Sequence, residues 1–348
     1  MKEVKKRILW VDIAKALTIL SVPISHTFEI EWTIRTMLFS FHMPLFFILS
    51  GFTTKLATDW KTFRKRLKKN FLYLIVPAVI VLAIYSIALS FIGSTTGIGE
   101  QGGFASILPN LKTVFSDFFL HLYHDDIGNA AAVWFLVALF FAKTIMDIVN
   151  VIFKSDKNWI IFFLFGALGI CLGVFSHRLP FFLDLALVGT MLIEIGILWR
   201  KYEDVIKKYT IPLLIISIFF WFKNVMDGTF LELWLRFYAG YGQSILVAVS
   251  GTFMVANFAM MLEDVAKKSG KFFKKSINLL SLVGQNLLLF LMVHCLDDSL
   301  FYRLWDVRNG TKKMILVSTA LRLVLDIVVF AILYCIINLW KNRRKRKA

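Results

Sequence analysis

Apolar stretches long enough to cross a bilayer recur along the whole chain. A span needs about 20 mainly apolar residues, because the hydrocarbon core of a membrane is about 30 Å thick. By that criterion the sequence predicts ten spans, at residues 9–28, 36–54, 71–93, 131–153, 159–176, 180–199, 209–222, 243–262, 279–297 and 314–340. We therefore expect an all-α fold, a polytopic transmembrane bundle of about ten helices in a single membrane domain over residues 1–348.

Clusters of Lys and Arg between the spans predict their orientation. Basic loop residues are retained on the cytoplasmic side of a membrane. The clusters lie at residues 2–7, 55–69, 154–157, 200–208, 267–275 and 341–347, which are alternate ends of the predicted spans. The pattern predicts ten crossings with both chain ends in the cytoplasm and a long external loop at 94–130.

Composition agrees with lipid as the solvent. Of the 348 residues, 58% are hydrophobic and only 18% are charged, with a mean hydropathy of +0.71. A water-soluble domain cannot bury so much apolar surface. The net charge of +17 is spread over short clusters rather than one face, which suits anionic lipid headgroups. We expect membrane lipids as partners, no nucleic acid, and localisation as an integral plasma membrane protein.

The first span carries ionisable residues at positions where each needs a partner, water or a function. Lys15 and His26 are 11 residues apart, which is about 16 Å along a helix and about 20° in azimuth. A cation in the inner half can hold an anionic ligand, while a neutral imidazole in the outer half can accept a proton from a hydroxyl. Snorkelling of both side chains to the membrane surfaces is the structural alternative.

Further polar residues lie within apolar spans. His42 stands next to Pro44 in the second span, and Asn286 and His294 are eight residues apart in the ninth, hence roughly on one helical face. Packing alone also accounts for His42. Other charged residues are interpreted as intramembrane ion pairs that fix helix packing; they are Asp184, Glu194, and Arg322 with Asp326. Three cysteines without metal-ligand spacing, and the loose HLYHDD run at 121–126, predict neither disulfides nor a metal site.

Five segments together resemble the acyltransferase-3 family. DIAKALTILSVPISH at 12–26 resembles its signature of a basic residue, ten residues and a histidine, with Lys15 at the place often held by Arg. FHMPLFFILSGF at 41–52 is the most specific segment, and the others follow in the expected order: VWFLVALFFAK at 133–143, PFFLDLALVGTMLIEIGIL at 180–198 and VGQNLLLFLMVH at 283–294. One departure concerns the basic pair that many members place just before the Pro of the third span. Here the basic run at 64–69 lies further upstream of Pro77.

This resemblance implies a bacterial membrane O-acyltransferase, with acyl-CoA as donor substrate, most often acetyl-CoA, and no tightly bound cofactor. The acceptor is expected to be a hydroxyl of an extracytoplasmic carbohydrate. His26 would be the catalytic base, Lys15 a donor-binding or transition-state cation, and His294 and His42 further polar members of the site. We expect no SGNH-type soluble domain after the membrane unit, so that transfer finishes within it or with a separate partner.

Two groups of residues are candidates for substrate contacts. Basic side chains on the predicted cytoplasmic side would meet the phosphates of CoA, and Asn286 is a polar-site candidate; the basic candidates are Arg64, Arg66 and Lys69. Aromatic residues at the outer boundary can stack on sugar faces; these are Trp32, Trp234, Tyr238 and Tyr241. Lipid contact explains each basic residue, and an interfacial aromatic belt each aromatic one, equally well.

Two other classes of function remain open at this point. A transporter or flippase for a lipid-linked saccharide would line a path with buried charges, but its usual repeat of interrupted helices in two halves is not seen. A non-catalytic scaffold of the cell envelope would need packing rather than a base.

Overall fold

The computed structural model describes residues 7–27, 32–92, 104–120, 133–304 and 311–347, apart from a few side chains at the edges of these ranges. Its residues are almost entirely helical, which confirms the all-α prediction. In chain order the helices are α1 Leu9–Thr27, α2 Trp32–Phe39, α3 His42–Thr53, α4 Trp60–Asn70, α5 Val76–Ile92, α6 Ile107–Leu120, α7 Trp134–Phe153, α8 Asn158–Val174, α9 Leu183–Lys201, α10 Glu203–Lys208, α11 Thr210–Met226, α12 Gly242–Lys268, α13 Lys271–Gln285, α14 Leu287–Leu304 and α15 Lys312–Lys347.

Short elements of other kinds join these helices. A π-helical turn, Phe71–Ile75, makes α4 continuous with α5, and 3₁₀ turns precede α6 and α9. Between α11 and α12, β1 Leu231–Glu232 pairs antiparallel with β2 Phe237–Tyr238. Helix α6 lies within the segment that the sequence predicts as an external loop.

Each of the ten predicted spans coincides with a helix or a consecutive helix pair. Six helical segments are long and apolar enough to cross a membrane, and they are Thr33–Thr53, Trp60–Phe91, Trp134–Phe153, Pro180–Lys201, Gly242–Lys268 and Lys313–Arg344. The pair α13 and α14 would add a seventh, and α8 and α11 are shorter apolar helices. These counts apply to the described part of the chain. They confirm a polytopic membrane protein, while ten crossings and the side on which each end lies stay predictions.

The ninth predicted span differs from a single straight helix. It is broken at Asn286, where α13 ends and α14 begins at an angle of 73°. The amide N–H of Asn286 donates to the carbonyls of Leu282 and Val283, and its side-chain amide donates to the Leu282 carbonyl at 2.8 Å. Asn286 itself therefore satisfies part of the backbone hydrogen bonding that the break interrupts, as is required within a membrane.

The chain forms two compact units. One comprises residues 1–35 and 256–348, with α1, α13, α14 and α15 as its described helices together with the end of α12. The other comprises residues 36–255. In the second unit α3 packs on α9 through reciprocal close approaches, because Gly51 faces the carbonyl of Ile193 and Gly196 faces the carbonyl of Ile48. Glycines that let helix backbones touch are typical of packing within membranes.

Candidate active site

Helix α1 carries the first two predicted site residues, Lys15 and His26. The backbone is helical from Leu9 to Thr27, with Pro23 inside, so the predicted separation of about 16 Å applies. Lys15 is half-buried and lies within electrostatic range of Asp12, which accepts an ion-pair contact from Arg7 at 3.0 Å. The cation of Lys15 thus has a carboxylate near it inside its own unit.

The Lys15 end of α1 is held by two neighbouring helices. Gly284 of α13 lies directly against the carbonyl of Asp12, and a Cβ atom at this position would overlap that oxygen. The backbone N–H of Trp10 donates to the Glu263 carboxylate on α12 at 2.9 Å. Because α13 can approach α1 this closely only at a glycine, Gly284 determines the position along the two helices at which they cross.

His26 at the other end of α1 meets His294 of α14. The two ring centroids are 5.5 Å apart, with the ring planes at 71°. His294 is fully buried, and its Nδ1 lies 3.1 Å from Oδ2 of Asp326, which is also fully buried. The structure therefore brings together two of the three predicted catalytic residues and adds a carboxylate behind the second.

A second ion pair joins the same two helices. Nε of Arg322 on α15 donates to Oδ2 of Asp297 on α14 at 2.9 Å. The sequence predicted a pair between Arg322 and Asp326 along one helix. In the structure each of these residues contacts α14 instead, Arg322 through Asp297 and Asp326 through His294. Such contacts still serve the predicted packing role, because they join two helices rather than two turns of one.

The ligand atoms of His294, Asp297 and Asp326 lie within 4.8 Å of one another, so this cluster has the dimensions of a cation site. Arg322, however, already supplies one positive charge to the two carboxylates. A proton on His294 would supply the second. Counting the described residues only, the cluster reaches neutrality in this way without a metal ion, whereas a divalent ion in addition to Arg322 would leave one excess positive charge in a buried setting.

The sequence predicts Asn286 and His294 on one helical face. In the structure Asn286 lies at the break between α13 and α14, which meet at 73°, and its carbonyl accepts the backbone N–H of Phe290 in the first turn of α14. Periodicity did not predict this break, and a shared face with His294 stays a prediction.

His42 begins α3 in the other unit. It is buried, its Nδ1 lies 2.7 Å from the carbonyl of Leu38 at the end of α2, and its ring packs edge-on against Phe39 at 4.7 Å. These contacts connect the two short helices of the predicted second span. They agree with the packing role weighed for His42, and a part in catalysis stays a prediction.

The predicted donor-binding residues lie on α4, which begins at an Asp59 cap. The Thr62 backbone N–H donates to the Asp59 carboxylate and, as the main cause, lowers the pKa of Asp59. Arg66 points inward and donates to Asp147 of α7 at 2.7 Å, while Arg64 and Lys69 are exposed. Asp147 also accepts from the Ala57 backbone N–H, so α4 and the chain entering it are anchored to α7.

The predicted acceptor-binding aromatics lie mainly around the β1–β2 hairpin. Tyr241 is exposed, whereas Tyr238 is 5% exposed and Trp234 packs against Phe182 at 6.0 Å. The side chain of Trp32 lies outside the described part of the structure. The ring of Tyr238 is packed into the unit and lies against Gly173, and a part for it in acceptor binding stays a prediction.

Beside these aromatic residues lies a buried ion pair of which the sequence indicated only one member, Asp184. Arg236 donates to both carboxylate oxygens of Asp184, at 2.8 and 3.3 Å, and both side chains are buried. The available signal was Asp184 within an apolar span. Its partner is 52 residues further along the chain and could not be inferred from spacing. For Glu194 the structure gives no ion-pair contact among the described residues. The HLYHDD run falls outside the described residues.

Comparison with known families decides what class of protein this is. A family model described as an acyltransferase domain, Acyl_transf_3, matches residues 8–340. The chain belongs to the acyltransferase-3 family. Comparisons with curated proteins and with solved structures found no match. As an acyltransferase-3 protein with several apolar spanning helices, it is a membrane acyltransferase.

The acyltransferase-3 match includes all the helices that build the histidine site. It begins one residue before α1 and ends within α15, so Lys15, His26, His294 and Asp326 lie inside it. The family assignment and the cluster of buried titratable groups therefore concern the same part of the chain.

Proposed function

We propose that the protein transfers an acetyl group from cytoplasmic acetyl-CoA to a hydroxyl of an extracytoplasmic glycan. The observation that carries the proposal is the contact of His26 with a second imidazole, His294, whose other side is held by a carboxylate. An imidazole held by a carboxylate is part of a common general-base arrangement, and His26 lies next to that pair. Membership in an acyltransferase family gives that base a reaction to serve.

The reaction needs one proton acceptor and one leaving group. His26 removes the proton as the acceptor hydroxyl oxygen attacks the thioester carbonyl, and the C–O bond of the ester forms. The tetrahedral intermediate then collapses and the C–S bond breaks. The CoA thiolate that leaves receives the proton from His26. General acid–base catalysis of this kind contributes about 10²- to 10⁴-fold in rate.

The two ends of helix α1 suit the two ends of the donor. The nucleotide phosphates of CoA are too polar to enter hydrocarbon, so they are expected to stay at the cytoplasmic surface. The thin pantetheine arm can reach past Lys15 toward His26, a helical distance of about 16 Å. Acetyl is favoured over longer acyl groups because the resemblance to glycan-modifying members implies it.

Transfer by the purified protein is the direct test. We expect the protein in nanodiscs to move label from [¹⁴C]acetyl-CoA to one member of a panel of glycans, giving a product that hydroxylamine cleaves as an O-ester. His26→Ala should lose about 10²-fold or more of this activity, with unchanged affinity for CoA. Absence of transfer to every acceptor and from every acyl-CoA tried would overturn the proposal. Full activity of His26→Ala would overturn the role of the base.

A further inference from the structure

The contact between His294 and Asp326 sets which nitrogen of His294 is basic. An ionised carboxylate only accepts hydrogen bonds, so the Nδ1 atom, 3.1 Å from Asp326 Oδ2, carries the hydrogen. The lone pair of the neutral ring is then on Nε2. Both residues are fully buried, and water therefore does not compete for this bond.

Nε2 of His294 has no hydrogen-bond partner among the described residues, although it is buried. A buried nitrogen left in this state is costly unless a proton or a neighbouring donor reaches it. The ring next to it is His26, with centroids 5.5 Å apart. Since Nε2 makes no hydrogen bond to His26, we infer that a proton passes between the two rings through one bridging water molecule.

The charges around His294 favour a proton on it. From α14 the pair is faced by Asp297, from α15 by Asp326 and Arg322, and from α1 by His26. Among the described residues, two carboxylates and one guanidinium leave one negative charge when both histidines are neutral. A proton moved onto His294 cancels that charge and lies in direct contact with the Asp326 carboxylate.

We propose that His294 stores the proton during acyl transfer and that Asp326 is the positioning residue that makes this possible. His26 takes the proton of the acceptor hydroxyl on one ring nitrogen and releases the hydrogen of the other to the bridging water molecule, which gives one of its own hydrogens to Nε2 of His294. When the C–S bond breaks, both transfers reverse and the proton reaches the CoA thiolate. The inference rests on the proposed function, because it assigns the path of the proton in that reaction.

Asp326→Asn is the central variant, with Glu194→Gln as its matched control. Both replace a buried carboxyl group of a predicted span by its amide, but Glu194 lies on α9, outside the cluster around His294. Loss of the carboxylate that orients a catalytic histidine lowers kcat by about 10⁴ in serine proteases because the wrong tautomer forms. We expect Asp326→Asn to lower kcat at least about 10²-fold with an unchanged KM for acetyl-CoA, and Glu194→Gln to change kcat much less in the fraction that remains folded.

A spectroscopic measurement on the active wild-type protein covers the case in which Asp326→Asn does not fold. Solid-state NMR of ¹⁵N-histidine-labelled protein, with the His294 signal assigned by its loss in His294→Gln, reports the tautomer. We expect hydrogen on Nδ1, and a signal showing hydrogen on Nε2 alone would overturn the inference.

The kinetic outcomes separate this inference from the proposed function. If the wild-type protein transfers acetyl groups but Asp326→Asn and Glu194→Gln have equal kcat values, the proton path is wrong and the function stands. If the wild-type protein transfers nothing, the proposed function fails, and the proton path fails with it. A metal held by the cluster would also contradict the inference, and it would appear as a stoichiometric divalent ion in the purified active protein that is lost in Asp326→Asn and retained in Glu194→Gln.

Discussion

Lys15 lies within an apolar predicted span, where a positive charge is costly unless it has a partner or a function. It is half-buried on α1, and the carboxylate in electrostatic range, Asp12, is itself paired with Arg7. The neighbouring charges therefore do not require Lys15 for their own neutralisation. This leaves the ammonium group available to hold a carbonyl or an anionic portion of the donor.

Replacing Lys15 by Met tests that role at the scale of one residue. The loss of a charge-assisted hydrogen bond of about 1.5–3 kcal/mol should lower kcat/KM for acetyl-CoA roughly tenfold to a hundredfold. Lys15→Arg should retain most of the activity, since the family signature often has Arg there. Steady-state kinetics with labelled acetyl-CoA would measure both variants, and a Lys15→Met protein with wild-type kcat and KM would remove Lys15 from the mechanism.

Helices α3 and α9 illustrate how single small residues set the position of whole elements. The Cβ of an alanine at Gly51 would overlap the carbonyl oxygen of Ile193, and one at Gly196 would overlap that of Ile48. Backbone carbonyls cannot move aside as flexible side chains can. The two helices would have to separate along much of their length, with loss of packing between them.

We therefore expect Gly51→Ala to destabilise the protein by about 1–3 kcal/mol, the usual cost of overpacking. Thermal unfolding in detergent should show a lower midpoint. Gly242→Ala is the control, because nothing lies within 4 Å of the Cβ it would add at the start of α12. Its effect should stay within about 0.5 kcal/mol. Equal midpoints for the two variants would show that the close approach of α3 to α9 contributes no stability.

Helix α4 combines an inward and an outward basic surface. Arg66 is committed to the buried Asp147, while Arg64, Lys68 and Lys69 are exposed. Neutralising Arg66 would break the attachment of α4 to α7 and leave a buried carboxylate, so it cannot report on donor binding alone. The exposed residues can be changed without touching this attachment.

A triple Gln variant at Arg64, Lys68 and Lys69 should raise the KM for acetyl-CoA roughly tenfold or more, if each exposed charge contributes up to about 1 kcal/mol. The effect should shrink at high salt, because exposed charges are screened. A matched triple Gln variant at Lys341, Arg343 and Arg344 in the last turns of α15 should leave the KM unchanged. An equal rise in both triple variants would indicate nonspecific surface attraction rather than a donor site on α4.

Large apolar side chains are exposed over several helices of the molecule. Ile211, Phe219 and Leu325, for example, are 73%, 74% and 47% exposed. Water-soluble proteins rarely expose contiguous apolar surface of this kind, whereas lipid covers it without cost. The exposed apolar faces therefore agree with a membrane protein, while the orientation of the helices stays a prediction.

The orientation of α8 tests that topology with one matched pair of substitutions. Ser155 precedes α8 and is predicted to be cytoplasmic, whereas Ser176 follows it and is predicted to be external. In a background with the three native cysteines replaced by serine, an impermeant maleimide added to intact cells should label Ser176→Cys but not Ser155→Cys. Labelling of both in lysed cells is the control. The reverse pattern in intact cells would invert the topology.

Local sequence determined which segments are helical and that their solvent is lipid. A helix satisfies its backbone within about four residues, and an apolar stretch of spanning length is itself the signal, so neither property depends on distant parts of the chain. The same reasoning identified Lys15, His26 and His294, because ionisable residues within apolar spans are uncommon. Helical periodicity did not predict the break at Asn286, where α13 ends and α14 begins.

Only the tertiary structure decided which of these groups meet. His26 and His294 are separated by most of the chain, Asp326 lies 32 residues beyond His294, and Arg236 lies 52 residues beyond Asp184. Their contacts depend on where helices cross and how closely, which glycines such as Gly284 permit at single positions. Sequence spacing determines which residues share one face of a helix, but it does not determine which face of a neighbouring helix they contact. For that reason Asp326, predicted as a partner of Arg322 along one helix, is found supporting the histidine of another.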